Sequence, residues 1–294
     1  VALKTETVYG IACDPGNISA LKKLYQIKQR PIYNPLIIHV NSIELAKKIV
    51  HTTDDAECLM KKFWPGPLTL ILPRKINNFV HDIALSGLES VAIRFPKSNI
   101  MREIINKFQK PIAAPSANES GYISATDANH VIDSFGNKID LVIDSGRTNF
   151  GLESTILDMT KKPYQLKRHG VIDSKIITEK TGIKIVIANC KNKKFQKPNS
   201  PGQLLKHYAP KTPLFTNITE PMQGDAFLNF GKRKYNHKAT LNLSTTANLD
   251  EAAYNLFDFL RKLDKLKKKR IVVAPIPNTG IGITINERLD RASI

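Results

Sequence analysis

The residues best suited to chemistry stand at breaks between short apolar runs. Thr5-Glu6-Thr7-Val8-Tyr9-Gly10 leaves the opening strand-like residues and ends in glycine. Lys28-Gln29-Arg30-Pro31 closes a helical pattern and leads through Asn34 into PLIIHV, which carries His39. Arg94 ends SVAIR, Ser116-Ala117-Asn118 follows PIAA, Gly151-Leu152-Glu153-Ser154-Thr155 opens TILD, and Arg168 follows YQL. Strand ends and the loops after them are where α/β proteins place ligands. Arginines, a lysine and several hydroxyl or amide groups there suit a polyanion together with a small polar molecule. Each residue also has a plainer reading. Lys28 and Arg30 suit a helix C-terminus, Ser116 and Asn118 are turn formers, and His39, alternating with Ile37, suits a half-buried strand.

Familiar nucleotide and hydrolase signatures are missing. There is no GxxxxGK[ST], and Gly280-Ile281-Gly282 lacks the third glycine of a dinucleotide fingerprint. Ser116 sits in APSAN rather than GxSxG, and no His/Cys cluster has metal spacing. No metal site built from the protein's own side chains is therefore expected.

The elements that must position these residues alternate between helix and strand over residues 1–187. Asn17 precedes ISALKKLYQIK, whose apolar residues recur at helical spacing. Asn41 with Glu44 predicts a capping box opening a helix through Val50, and a further helix is expected from about Asp54 to Phe63, stopping at Pro65-Gly66-Pro67. PLIIHV (35–40), LTLIL (68–72), SVAIR (90–94), PIAA (111–114), LVI (141–143) and TILD (155–158) read as strands, with a helix near 99–108. Residues 188–211 read as a linker. Beyond it, LFTNI, DAFLNF, ATLNL and RIVVAPI read as strands, and Asn248 with Glu251 caps a long helix, giving a smaller α/β domain over 212–294. The fold class is α/β, with a twisted mixed sheet and helices in the first domain.

The length of 294 residues suits two domains. No apolar run reaches the roughly 18 residues of a membrane span. The net charge of +18 favours anionic partners. It is uneven, about +7 over residues 1–190 and +11 over 191–294, and Lys265–Arg270 (KLKKKR) suits either a solvated helix end or an RNA contact. Three scattered cysteines without a CxxC pair, and no visible secretory signal, suit a reducing, cytoplasmic setting. The chain starts at Val1 without an initiator Met, consistent with a truncated product or a start inside a longer frame.

Taken together, KTETVYG, KQRPIYNPLIIHV, FWPGPLTLIL, VAIRFP, PIAAPSANESG and GLESTILD, in this order, resemble the YrdC-type threonylcarbamoyl-AMP synthases. SPGQLLKHYAP and GIGITINERLDRAS resemble the longer, two-domain branch, with a smaller Rossmann-like C-terminal domain. The resemblance implies that L-threonine, bicarbonate and ATP give threonylcarbamoyl-AMP and pyrophosphate, and that a separate tRNA threonylcarbamoyl transferase carries the product to an adenosine beside the anticodon. It implies that Thr7, His39, Arg94 and Ser154 hold threonine. Lys28, Arg30, Asn34, Ser116, Asn118, Ser124, Arg168 and Tyr208 would hold ATP, with Lys28 and Arg30 as the catalytic pair. Mg²⁺ would arrive on the ATP phosphates, and the linker, through Leu204, Leu205 and Tyr208, would fold over the pocket. Three departures stand out: Lys4 replaces a usual proline, Arg168-His169-Gly170 replaces RPG, and only VALK precedes the first motif, which predicts an unpaired sheet edge. A second reading, from another class, is a double-stranded-RNA-binding or ribosome-assembly protein with direct RNA contact across a basic concave face. With aromatics at only 7% and no RNP-like run, stacking on bases has little support.

Overall fold

The computed structural model describes residues 1–76, 78–187, 207–233, 235 and 238–293. At the start of the chain, β1 (Ala2–Lys4) and β2 (Tyr9–Ile11) pair antiparallel. The unpaired edge expected there is not found, because the VALK residues form a strand with a partner. α1 (Ile18–Lys28) begins at Asn17, whose side chain accepts from the Ala20 amide and satisfies a free N–H of the first turn. After β3 (Ile37–His39) comes α2 (Ile43–Ile49). Its cap is Ser42, which accepts from the Leu45 amide at 3.0 Å, rather than Asn41. Asn41 lies one residue too early and bonds the Asn106 side chain instead.

The chain continues through α3 (Asp54–Phe63), β4 (Leu68–Pro73), α4 (Asp82–Leu85), β5 (Ser90–Arg94), α5 (Asn99–Phe108), β6 (Ile112–Ala113), α6 (Ala128–Phe135), β7 (Thr155–Asp158), β8 (Tyr164–Arg168), α7 (Ser174–Thr181) and β9 (Ile185–Ile187). LVI at 141–143 makes only a bridge: Leu141 accepts from Ala2 and Ile143 donates back to it, and the pairing goes no further. Seven strands form one mixed sheet in the order β6-β3-β5-β4-β7-β8-β9. β3 and β5 are parallel, β4 is antiparallel to β5, β7 is parallel to β4, and β8 is antiparallel to β7. The C-terminal ends of β3, β5 and β8 therefore share one edge of the sheet with the N-terminal ends of β4 and β7.

The second unit holds β10 (Leu214–Phe215), β11 (Ala226–Asn229), β12 (Thr240–Asn242), α8 (Leu249–Lys265), β13 (Ile271–Val273) and α9 (Ile281–Ala292). Its four strands run parallel in the order β10-β13-β11-β12. Asn248 caps α8 as its sequence predicts, accepting from the Glu251 amide at 2.9 Å. The two units share buried core: Val8, Ile123 and Leu152 pack with Leu256, Phe257 and Tyr208. Most of the linker, residues 188–206 with Leu204 and Leu205, lies outside the described residues. Among the described residues no helix is long and apolar enough to cross a membrane.

Candidate functional site

Period-two alternation along the strands builds the floor of a pocket. Ile37, Ile71, Ala92 and Ile156 form a small apolar cluster on one face of the sheet. Two residues along each strand, toward the shared edge, stand His39, Thr69, Arg94 and Ser154. All four are buried. Thr7 joins them from the turn between β1 and β2, and Ser116 from the loop after β6.

Arg168 reaches the same face through a bulge. Leu157 pairs with Leu166, yet Ile156 pairs with Arg168, so β8 carries one extra residue at this point. Leu166 belongs to the main core, whereas the guanidinium of Arg168 donates to the Ser154 carbonyl and, at 3.0 Å, to Ser154 Oγ. A bulge that turns a side chain onto the other face is a common device beside active sites. Gly170 follows in close contact with the same loop. A Cβ there would stand 2.2 Å from the Thr155 nitrogen.

Thr7, Arg30, His39, Arg94, Ser116, Ser154 and Arg168 thus line one pocket. The other residues singled out in the sequence stand behind it. Lys28 is fully buried and its ammonium donates to the carbonyls of Ser116 and Asn118, tethering that loop. Asn34 Oδ1 accepts from Arg30 at 2.6 Å, while Arg30 also donates to the Asn34 and Pro35 carbonyls. Asn118 donates to the carbonyls of Glu119 and Tyr122. Ser124 donates to Glu153 Oε1 at 2.6 Å. The Tyr208 ring lies in the shared core, stacked on Phe257 with centroids 5.5 Å apart, and His207 beside it lines the pocket.

Sequence reasoning missed His207, and it named Thr5, Glu6 and Glu153 within their stretches without giving them a role. His207 was legible only as part of HYAP, and Glu153 as the lone acid of GLEST. Arg94 approaches Glu6 at 2.7 Å, an ion contact rather than an aligned hydrogen bond, and donates to Thr7 Oγ1 at 3.0 Å. Thr7 also shares a hydrogen bond of 2.8 Å with Thr5, and Ser154 one of 2.7 Å with Thr69.

The site is basic and buried. Burial, with Arg30 nearby, holds the Lys28 ammonium well below its ordinary value. Burial lowers Arg30 to about 10, and lowers Arg168 as well. His39 is pushed down to about 3 by burial and then by Arg94, and His207 falls well below its usual value through burial and the surrounding cations. Several buried polar atoms have no protein partner among the described residues: His39 Nδ1, His207 Nδ1, Asn34 Nδ2 and Asn118 Oδ1. Each such atom costs about 1–3 kcal/mol, and two of them, on His39 and His207, belong to residues lining the pocket, where a polar ligand can complete the bonding.

The two neutral histidines predict a pH dependence. The unfolded chain takes up protons near pH 6.5 that the folded chain refuses. This part of the stability is complete above that pH and is lost as pH falls toward the folded pKa, about 3 for His39. Urea denaturation between pH 6.5 and 5 is expected to show stability falling by about 1.4 kcal/mol per pH unit per histidine. His39→Gln is expected to remove one such slope. A stability unchanged over that range would exclude burial of the neutral rings.

Comparison with known proteins gives the family. A family described as "Telomere recombination" matches residues 1–170, and one described as "Threonylcarbamoyl-AMP synthase, C-terminal domain" matches residues 172–293. A threonylcarbamoyl-AMP synthase of Pyrococcus abyssi is 36% identical, with all of this chain and 90% of that protein aligned. The chain belongs to the threonylcarbamoyl-AMP synthase family. A Bacillus subtilis member of that family is also 36% identical, over 100% of this chain and 89% of its own length. A solved Pyrococcus abyssi structure, complexed with L-threonine, superposes with a TM-score of 0.91 at 34% identity, covering 99% of this chain and 89% of that one. The Escherichia coli protein YciO, at 20% identity and TM-score 0.54 over 61% of this chain, shares the fold. Membership of the family makes this chain a nucleotidyltransferase-type enzyme.

Proposed function

We propose that the protein condenses L-threonine, bicarbonate and ATP into threonylcarbamoyl-AMP and pyrophosphate. The observation that carries this reading is the convergence of Thr7, His39, Arg94 and Ser154 on the same pocket as Arg30, Ser116 and Arg168. One group has the size and polarity for an amino acid, the other the charge for a triphosphate. The threonine amine and bicarbonate first give a carbamate with loss of water. A carbamate oxygen then attacks the α-phosphorus, and pyrophosphate leaves. No covalent enzyme nucleophile is required. The demands are alignment of two anions, exclusion of water and cations beside the phosphorus.

In this reading Arg94 pairs with the threonine carboxylate, while Thr7, Ser154 and the neutral His39 ring bond its amine and hydroxyl. Arg30 and Arg168 face the triphosphate, with Lys28 and Asn34 holding the loop and the guanidinium in place. Ser116 bonds the nucleotide, and Asn118, Ser124 and Tyr208 support it from behind. Mg²⁺ comes with ATP on its phosphate oxygens and water, which supplies charge neutralisation. This suits a pocket whose carboxylates, Glu6 and Glu153, are already engaged by arginines. The product then passes to a tRNA threonylcarbamoyl transferase. The basic Lys265–Arg270 stretch is the candidate for direct RNA contact, although Lys265 and Arg270 already pair with Asp133 and Asp225.

The test is incubation with ATP, L-threonine and bicarbonate, with pyrophosphate detection and mass analysis of the adenylate. Pyrophosphate release that ignores threonine would count against the reaction. Ser154→Ala separates the two halves of the pocket. It is expected to raise the KM for threonine about five- to tenfold, in line with one lost hydrogen bond of about 1–1.5 kcal/mol, and to change ATP affinity less than twofold. Equal effects on both substrates would refute the role given to Ser154.

A further inference from the structure

The last helix of the C-terminal unit packs against the loops that carry pocket residues. Arg288, on α9, is buried with its side chain 1% exposed. Its Nε donates to Glu153 Oε2 at 2.9 Å, and its NH2 donates to the His169 carbonyl at 2.8 Å. Its guanidinium also lies over the Tyr208 ring, 4.8 Å from the centroid. One turn earlier on the same helix, Thr284 donates to the Gly170 carbonyl at 2.9 Å. Of the residues Arg288 contacts, Glu153 itself lines the pocket beside Ser154, His169 follows Arg168, and Tyr208 follows His207.

Burial alone would lower the Arg288 pKa, but Tyr208, Glu153 and Glu287 outweigh it and raise the value. The guanidinium is therefore a fixed cation. A planar fork holds a carboxylate and a peptide carbonyl in one fixed geometry, which the rotating donors of an ammonium do not impose. Glu153 in turn accepts from Ser124, so the loop after β6, the loop before β7 and the end of β8 are joined in one buried network.

We propose that Arg288 is a positioning residue for the synthase reaction: from the C-terminal unit it sets the relative placement of Ser154, Arg168 and His207. Arg288 is not among the residues that line the pocket. It fixes the spacing between the threonine half and the ATP half of the site. A misplacement of about 1 Å between reacting groups can cost on the order of 100-fold in rate, so its removal acts on turnover more than on binding. The proposal rests on the reaction given above.

The experiment compares wild type, Arg288→Gln, Arg288→Lys and Arg147→Gln well below each melting midpoint. Arg147 is the control, because it also bridges the units, pairing with Asp258 at 3.4 Å and donating to the Tyr254 carbonyl, but makes no contact with the Glu153–Arg288 network. Arg288→Gln is expected to lower kcat by at least 30-fold, with the KM for threonine and for ATP each changed less than fivefold. Arg288→Lys is expected to recover only part of the loss, and it carries the test alone where the glutamine variant does not fold. Arg147→Gln is expected to lower the midpoint and leave kcat unchanged. A kcat within threefold of wild type in folded Arg288→Gln overturns the proposal, as does an equal loss in Arg147→Gln. A wild type that makes no threonine-dependent adenylate overturns the reaction itself, which distinguishes the two failures.

Discussion

Replacing Arg30 by alanine is expected to weaken ATP binding by at least tenfold while leaving the chain folded. One charge-assisted hydrogen bond to phosphate is worth about 1.5–3 kcal/mol. The expected loss is larger than a single contact suggests, because Arg30 also organises its own loop. Its Nε and NH2 donate to the carbonyls of Asn34 and Pro35 and to Asn34 Oδ1. Removing the guanidinium takes that donor from Asn34 Oδ1 and the Pro35 carbonyl, leaves the Asn34 carbonyl to the Tyr25 hydroxyl, and frees the Asn34 side chain to turn. Arg30→Lys is expected to bind ATP nearly as poorly as the alanine variant, since a lysine supplies charge without the fork. Titration calorimetry with ATP, beside a melting curve, checks both. Unchanged affinity with an intact melt would remove Arg30 from the nucleotide site.

What was legible in the sequence follows from how local each signal is. α1 and α8 begin at Asn17 and Asn248, polar residues whose side chains close the first turn, and both could be read from the cap and the apolar spacing. α9 was not read, since Gly280 offers no side-chain cap and reaches the helix through φ +51. α6 and α7 do have caps, Asp127 and Asp173, but each helix is only eight residues long and too short for a clear period. The strands that carry His39, Arg94 and Ser154 were all legible from short apolar runs.

Their order in the sheet was not legible, because pairs such as β4 with β7 join segments more than eighty residues apart and nothing local encodes that choice. Arg168 shows the same limit at a single residue. Alternation from Leu166 would place it in the main core, and only the bulge against β7 turns it to the pocket. Glu153 and Arg288 were given no role for a related reason. Each looks like an ordinary surface charge until the two units meet, and their role lies in a contact across 135 residues of chain.

Loss of Arg94 is expected to have the second large effect, on stability and chemistry together. Arg94 and Glu6 are both buried, each with a side chain 4% exposed. Glu6 is anchored through its backbone, whose carbonyl accepts from the amides of Asn149 and Phe150, just before the loop that carries Ser154. Arg94→Met strands the Glu6 carboxylate in a buried site, and breaking a buried pair in this way costs about 3–5 kcal/mol. Adding Glu6→Gln to that variant removes the stranded charge. The double variant is expected to be more stable than Arg94→Met by at least about 1 kcal/mol, the signature of direct coupling between contacting residues. It is not expected to regain threonine-dependent synthesis, because the cation assigned to the substrate carboxylate is still absent. Urea denaturation of the wild type, both single variants and the double variant yields the coupling energy, and pyrophosphate release yields the activity. Additive stability losses would show that the two charges are independent. Recovered synthesis in the double variant would show that Arg94 serves the fold alone and that the threonine carboxylate is held elsewhere.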